Sequence, residues 1–207
     1  MKKAETLDWI KRTRIVPVVR AASADEALRL ADALVEGGID ILEITMTVPG
    51  AIEAIRQLAQ REDVLVGAGT VLDPETANQC IDAGARFIVS PALNTETVKA
   101  CNEAGILCAP GALTPTEVVA AHQAGGDVIK VFPCDSLGGA GYLKSLKAPL
   151  PHIPLMPTGG VSLATIRAFF EAGAIAVGAG SSLVDPSLTH EDLVARARAF
   201  RLAASPP

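Results

Sequence analysis

At 207 residues, with 49% hydrophobic and 20% charged, the chain can form one ordinary domain over 1–207 with an ample core, and it is too apolar to be disordered. A formal net charge of −5 speaks against a nucleic-acid partner, which would need a basic face. No apolar stretch approaches the roughly 20 residues of a membrane span, so no membrane partner is expected either.

The N-terminal Met1-Lys2-Lys3-Ala4-Glu5 lacks the apolar core of a signal peptide. A helix is predicted near residues 3–12, with Trp9 covering one end of the fold. The first β-branched run, 15–19, ends in Val18-Val19-Arg20. Ser23-Ala24-Asp25-Glu26 then reads as a capping box, and Gly37-Gly38 closes that helix. The second run, 39–46, carries a carboxylate inside an apolar strand, Ile41-Leu42-Glu43-Ile44. Strand parity puts Ile41, Glu43, Thr45 and Thr47 on one face. The third run, 64–67, ends in Gly67-Ala68-Gly69-Thr70, and Asp73-Pro74 marks the helix after it. The fourth run, 85–90, ends in Ser90-Pro91, and the fifth spans 106–109. Thr114-Pro115-Thr116-Glu117 is a second capping box. The last two runs, 153–157 and 174–178, lead into Pro157-Thr158-Gly159-Gly160 and Gly178-Ala179-Gly180-Ser181; Ser162 and Thr189 are further N-cap candidates.

The sixth run, 127–132, is the most informative. Lys130 lies within Asp127-Val128-Ile129-Lys130-Val131-Phe132-Pro133. Lysine is rarely fully buried unless it is paired or has a task. Burial favours the neutral amine, a nucleophile for carbonyl carbon. A lysine whose stem packs while its head snorkels to a strand end or meets a carboxylate fits the run equally well. If the face bearing Glu43 points inward, Glu43 can approach Lys130, either as a proton shuttle or as a structural ion pair.

A unit recurs along the chain: an alanine-rich amphipathic stretch, a glycine, then a β-branched run. Eight such strands alternating with helices predict a (β/α)8 TIM barrel of minimal size, with an extra N-terminal helix. An open doubly wound sheet is the alternative, weakened by the lack of a Gly-x-Gly-x-x-Gly opening a helix after the first strand. In a barrel the polar residues at the C-terminal strand ends form the site. Gly159-Gly160 before Val161-Ser162, and Gly178-Ala179-Gly180-Ser181, each read as a loop opening a helix; the glycines could present backbone N–H groups to a phosphate, or merely permit tight turns. Cys80, Cys101, Cys108 and Cys134 show neither metal nor disulfide spacing, and His122, His152 and His190 are scattered. No metal, no cofactor, reduced thiols and a cytoplasmic location are expected. Cys134 reads as a small filler beside the site.

Taken together, Leu42-Glu43-Ile44-Thr45, Gly67-Ala68-Gly69-Thr70, Phe87-Ile88-Val89-Ser90-Pro91, Pro110-Gly111, Lys130-Val131-Phe132-Pro133 and Pro157-Thr158-Gly159-Gly160-Val161 resemble the 2-keto-3-deoxy-6-phosphogluconate (KDPG) and 4-hydroxy-2-oxoglutarate (KHG) aldolases. The resemblance implies a homotrimeric, metal-independent class I aldolase whose partners are pyruvate and a phosphorylated 2-keto sugar acid, derived from gluconate or from galactonate. It makes Lys130 the Schiff-base residue and Glu43 the general acid/base. Thr70, Thr158 and Phe132 would line the pyruvate part, and Gly159, Gly160, Gly180 and Ser181 would take the phosphate. Some members carry arginine four residues beyond the glutamate, where this chain has Thr47; Arg20 is the candidate to supply that charge to the substrate carboxylate. Non-aldolase phosphate-binding barrels need no such lysine and glutamate pair.

Overall fold

A computed structural model of the chain describes residues 2–206. Helix α1 (Lys3–Thr13) precedes β1 (Ile15–Val19), α2 (Ala24–Glu36), β2 (Ile41–Thr45), α3 (Ala51–Leu58), β3 (Leu65–Gly69), α4 (Pro74–Asp82), β4 (Phe87–Val89) and α5 (Thr95–Glu103). Then come β5 (Leu107–Ala109), β6 (Gly111–Ala112), α6 (Pro115–Gln123), β7 (Ile129–Val131), α7 (Ala140–Lys147), β8 (Leu155–Pro157), α8 (Ile166–Glu171), β9 (Val177–Ala179) and α9 (His190–Ala204).

All pairings are parallel. They run β5-β4-β3-β2-β1-β9 in one sheet and β6-β7-β8 in the other. Two seams join the sheets. β5 and β6 are halves of one strand interrupted at Pro110: the first half pairs with β4, the second with β7. On the other side Thr158, just past β8, bridges to Gly178 of β9, and Ile175 N–H donates to the Leu155 carbonyl at 3.1 Å. The sheet therefore closes on itself as the eight-stranded parallel barrel expected from the alternation, with the fifth barrel strand supplied by β5 and β6 together.

Strands buried on both faces read as nearly continuous apolar runs, so a polar residue inside one stands out. Every residue of β1, β2 and β3 is buried, and so are those of β4, β7, β8 and β9. Phe87 fills the barrel side of the core, while Phe169 and Phe200 pack from the helices. The repeated glycine does what the pattern implied. Gly38, Gly84, Gly105, Gly125 and Gly173 all have positive φ, and each ends a helix ahead of a strand. At Gly84 a β-carbon would also strike Ala59 at 2.5 Å.

The caps hold with two corrections. Asp73 and Thr189 cap α4 and α9, and the Thr114–Glu117 box is reciprocal. Ser23 caps α2, but Glu26 reaches back to the Ala22 N–H at 2.7 Å rather than to Ser23. Ser162 caps nothing: its N–H donates to Thr165 Oγ1 at 2.9 Å, and α8 begins only at Ile166. Trp9 lines a cavity with Val64 and Leu65 where β3 begins, under the Arg12 guanidinium at 5.0 Å. Among the described residues no helix is long and apolar enough to cross a membrane.

Candidate active site

Among the buried residues described, Glu43 and Lys130 are the two that bear a formal charge. Their strands explain why they meet. β2 and β7 are the second and sixth strands of the closed barrel, opposite one another across its interior. Glu43 pairs in register with Val18 and Gly67, and Lys130 with Gly111 and Met156. Two long side chains from opposite walls then span the interior, leaving Lys130 Nζ 4.0 Å from Glu43 Oε1 with exposures of 5% and 1%. Glycines on β3 make the space. A β-carbon on Gly69 would overlap the Glu43 carboxylate, and one on Gly67 would strike the Phe87 ring.

A separation of 4.0 Å is too long for a hydrogen bond. Both carboxylate oxygens of Glu43 and the hydroxyl of Thr158 are buried without a hydrogen-bond partner among the described residues. A purely structural ion pair would be closer and better satisfied, because buried charge is stabilising only when its remaining hydrogen bonds are made. Burial raises the Glu43 pKa; the positive charges of Lys130 and then Arg20 oppose that rise. The carboxyl is thereby moved towards the range where it can both give and take a proton. The Phe132 ring lies with its centroid 5.1 Å from Lys130 Nζ.

Above this pair a cavity of about 390 Å³ opens at the C-terminal end of β1, β7, β8 and β9. Val18, Phe132 and Thr158 line its floor; Arg20, Asp135, Gly159, Gly160, Gly180 and Ser181 line its walls. The backbone N–H groups of Gly159, Gly160, Gly180 and Ser181 donate to no backbone carbonyl among the described residues. Gly159 and Gly160 have φ of 101° and 71°, and Ser182 Oγ ties the two loops together by donating to the Val161 carbonyl at 2.5 Å. Neither loop opens a full helix directly, contrary to the expectation from sequence. The first runs on to Ile166, its turn held by Thr165 Oγ1 donating to the Gly160 carbonyl at 2.7 Å. The second makes one turn, with Leu183 and Val184 bonded to the Gly180 carbonyl, before α9 begins at His190. An anion there would meet loop amides rather than a helix dipole.

Arg20 stands on the glycine-loop side, with Nη1 3.8 Å from where a β-carbon of Gly180 would lie. Thr47 and Thr70 line a separate depression of about 290 Å³ with Met46 and Asp73. Thr47 Oγ1 is 2.7 Å from Thr45 Oγ1, and Thr45 in turn donates to the Val19 carbonyl at 3.0 Å. Arg20 and Thr47 therefore do not share a cavity. Thr70 is held at φ 58°, a left-handed conformation that a β-branched residue adopts only under strain. Cys134 is fully buried and its thiol is pushed up to about 11 by burial, as suits a filler. Asp135, four residues past the end of β7, is a wall residue that the strand ends alone do not reveal; reading one residue beyond Cys134 finds it.

The family model for KDPG and KHG aldolases matches residues 7–199. The chain belongs to this aldolase family. The 2-dehydro-3-deoxy-phosphogluconate aldolase of Haemophilus influenzae is 36% identical over 185 residues, 89% of this chain and 87% of the relative. The 2-dehydro-3-deoxy-6-phosphogalactonate aldolase of Escherichia coli is 32% identical over 197 residues, 94% of this chain and 96% of the relative. A crystal structure of KDPG aldolase from Legionella pneumophila, with pyruvate captured as a covalent carbinolamine, superposes with a TM-score of 0.79 at 29% identity, covering 96% of this chain and 95% of that one. Membership makes the protein a lyase of the aldolase type, built on the barrel that the strand pairing describes.

Proposed function

We propose that this barrel, one domain over 1–207, is a class I aldolase that cleaves 2-dehydro-3-deoxy-6-phosphogluconate to pyruvate and glyceraldehyde 3-phosphate, with 4-hydroxy-2-oxoglutarate as a second substrate. The observation that carries the proposal is the buried Lys130–Glu43 pair, 4.0 Å apart with the carboxylate otherwise unbonded. The Lys130 amine adds to the C2 carbonyl; loss of water from the carbinolamine gives a protonated imine. Glu43 takes the proton of the C4 hydroxyl, directly or through a water. The C3–C4 bond breaks, its electron pair enters the imine, and an aldehyde leaves an enamine of pyruvate behind. Glu43 returns the proton to C3, and water releases pyruvate and regenerates Lys130. The imine is the electron sink, so the scheme calls for no metal and no cofactor.

The remaining roles follow from position. Phe132 and Thr158 face the pyruvate end, Thr158 offering a buried hydroxyl with no partner among the described residues. Thr70, strained at the end of β3, faces the carboxylate from the Thr47 side. Gly159, Gly160, Gly180 and Ser181 hold the phosphate through backbone amides. Arg20 lines the cavity with Phe132 and Thr158 and stands beside Gly180; its nearness to Gly180 supports a role at the phosphate end, and the carboxylate suggested by its sequence position is the alternative. A cytoplasmic homotrimer belongs to the same proposal and rests on the family resemblance. The galactonate-derived substrate is the second reading, favoured by the length over which the E. coli phosphogalactonate aldolase matches.

Trapping tests the centre of the proposal. Borohydride reduction in the presence of pyruvate should add a three-carbon adduct to the peptide bearing Lys130. Lys147 is a poor competitor, its Nζ already donating to the Pro151 and Ile153 carbonyls. An adduct on Lys144 or Lys147 instead would overturn the assignment. Pyruvate release from the two phosphorylated epimers and from 4-hydroxy-2-oxoglutarate then ranks the substrates.

A further inference from the structure

We propose that Asp135 is a specificity-determining residue, reading the part of the substrate between the cleaved bond and the phosphate: it accepts a hydrogen bond from a hydroxyl there and disfavours a carboxylate. The proposal rests on the aldolase reading above. Asp135 sits on the cavity wall, and its place is fixed by the backbone. The Cys134 N–H donates to the Thr158 carbonyl at 2.9 Å, and the Gly138 N–H to the Asp135 carbonyl at 3.1 Å. Its side chain packs against the glycine loop: a β-carbon on Gly159 would lie 2.5 Å from Asp135 Oδ1, and one on Gly160 2.7 Å from Asp135 Cβ. The carboxylate is therefore held against the first glycine loop, beside Gly159, the residue directly after Thr158, in the cavity that Thr158 and Phe132 also line.

Nothing in the surrounding structure uses that carboxylate. Asp135 is exposed at the cavity mouth, and among the described residues its side chain caps no turn, accepts no hydrogen bond and meets no cation within ion-pair distance. A carboxylate fixed in a binding cavity with its oxygens free is an acceptor for a substrate donor. With C4 over Lys130 and Glu43 and the C6 phosphate at the loops, C5 passes this wall, and its hydroxyl is the donor. In 4-hydroxy-2-oxoglutarate position 5 is itself a carboxylate, which would face Asp135 as a like charge with no donor between them. Rejection by repulsion and acceptance by hydrogen bond thus come from one group.

Two variants separate the two effects. Asp135→Asn keeps an acceptor and removes the charge; Asp135→Ala removes both. Wild type and variants are assayed for kcat/KM on 2-dehydro-3-deoxy-6-phosphogluconate and 4-hydroxy-2-oxoglutarate, with thermal melts to establish that each variant is folded. Asp135→Asn should lower efficiency on the phosphorylated substrate about threefold and raise it on 4-hydroxy-2-oxoglutarate about tenfold. Asp135→Ala should cost about tenfold on the phosphorylated substrate while retaining the gain on the other. Equal changes on both substrates, or no gain on 4-hydroxy-2-oxoglutarate, would overturn the role. A wild-type protein that cleaves neither compound would instead overturn the aldolase reading, a result that the wild-type assay alone delivers.

Discussion

Gly69 lies so close to Glu43 that a β-carbon on it would overlap the carboxylate, its nearest atom being Oε1. The glycine is a condition of the site rather than of the turn that follows, since Gly69 pairs within the ladder opposite Thr45. A methyl group here must push the acid away from Lys130 or shift the backbone of β3.

Gly69→Ala should therefore lower turnover by at least about 100-fold, as expected when a catalytic group is displaced by about an ångström. Overpacking should also destabilise the fold by about 1–3 kcal/mol. Steady-state rates with thermal melts check both. A variant with unchanged kcat would show that the barrel yields at β3 and that Glu43 is free to move.

Replacing Glu43 by Gln should reduce turnover about 10²–10⁴-fold, the range for loss of a general acid/base. Pyruvate trapping at Lys130 should slow but remain detectable. Stability should respond with a defined sign. Burial raises the folded-state pKa of Glu43 above its ordinary value of 4.5. Between those two values the native state binds more protons than the unfolded chain, so this carboxyl's contribution falls as pH rises through the window and stays low above it. Glutamine does not titrate. Denaturant unfolding from pH 4.5 to 8 should show the stability of Glu43→Gln improving relative to wild type as pH rises. A constant gap would mean that Glu43 ionises as it does in the unfolded chain.

The Lys130–Glu43 pair is legible in the sequence by contrast. A charged residue inside a β-branched run stands out, and β2 and β7 are such runs on opposite sides of an eight-stranded closure. Five strands, β2, β4, β5, β7 and β9, are legible because glycine ends the helix before each. Strand limits are not: Ile39, Ile106 and Ile153 extend the apolar runs and are buried, yet they lie in entering turns outside the ladder. Pro110, which splits one strand between two neighbours, has no signature that distinguishes it from a turn. Least legible is the partition of the barrel mouth. Strand order says that Arg20, Thr47, Thr70 and Asp135 sit at one end; it does not say which cavity a long side chain enters.

Arg20 tests that partition. Because its guanidinium stands beside Gly180 and not in the depression of Thr47 and Thr70, Arg20→Ala should raise KM for the phosphorylated substrate about tenfold, the scale of one charge-assisted hydrogen bond. The pyruvate concentration needed for half-maximal trapping should move much less. Thr47→Arg should not rescue the variant, since the two positions open into different cavities. A pyruvate requirement that rises as much as KM would return Arg20 to the substrate carboxylate.

The phosphate assignment is tested by placing charge where the phosphate should sit. Gly159-Gly160 and Gly180-Ser181 follow adjacent strands, and their N–H groups are unpaired with backbone carbonyls among the described residues. A dianion between them would gain several charge-assisted hydrogen bonds. 4-Hydroxy-2-oxoglutarate has no phosphate to place there. Ser181→Glu puts a carboxylate at the mouth of the cavity, where Ser181 is exposed and the fold should tolerate it. Efficiency on the phosphorylated substrate should fall by about 100-fold or more, through both repulsion and occupation of the amides. Efficiency on 4-hydroxy-2-oxoglutarate should fall far less, because the Lys130–Glu43 centre lies below the substitution. Equal losses on the two substrates would mean that the end of the barrel had been damaged, and the loops would then have no claim to the phosphate.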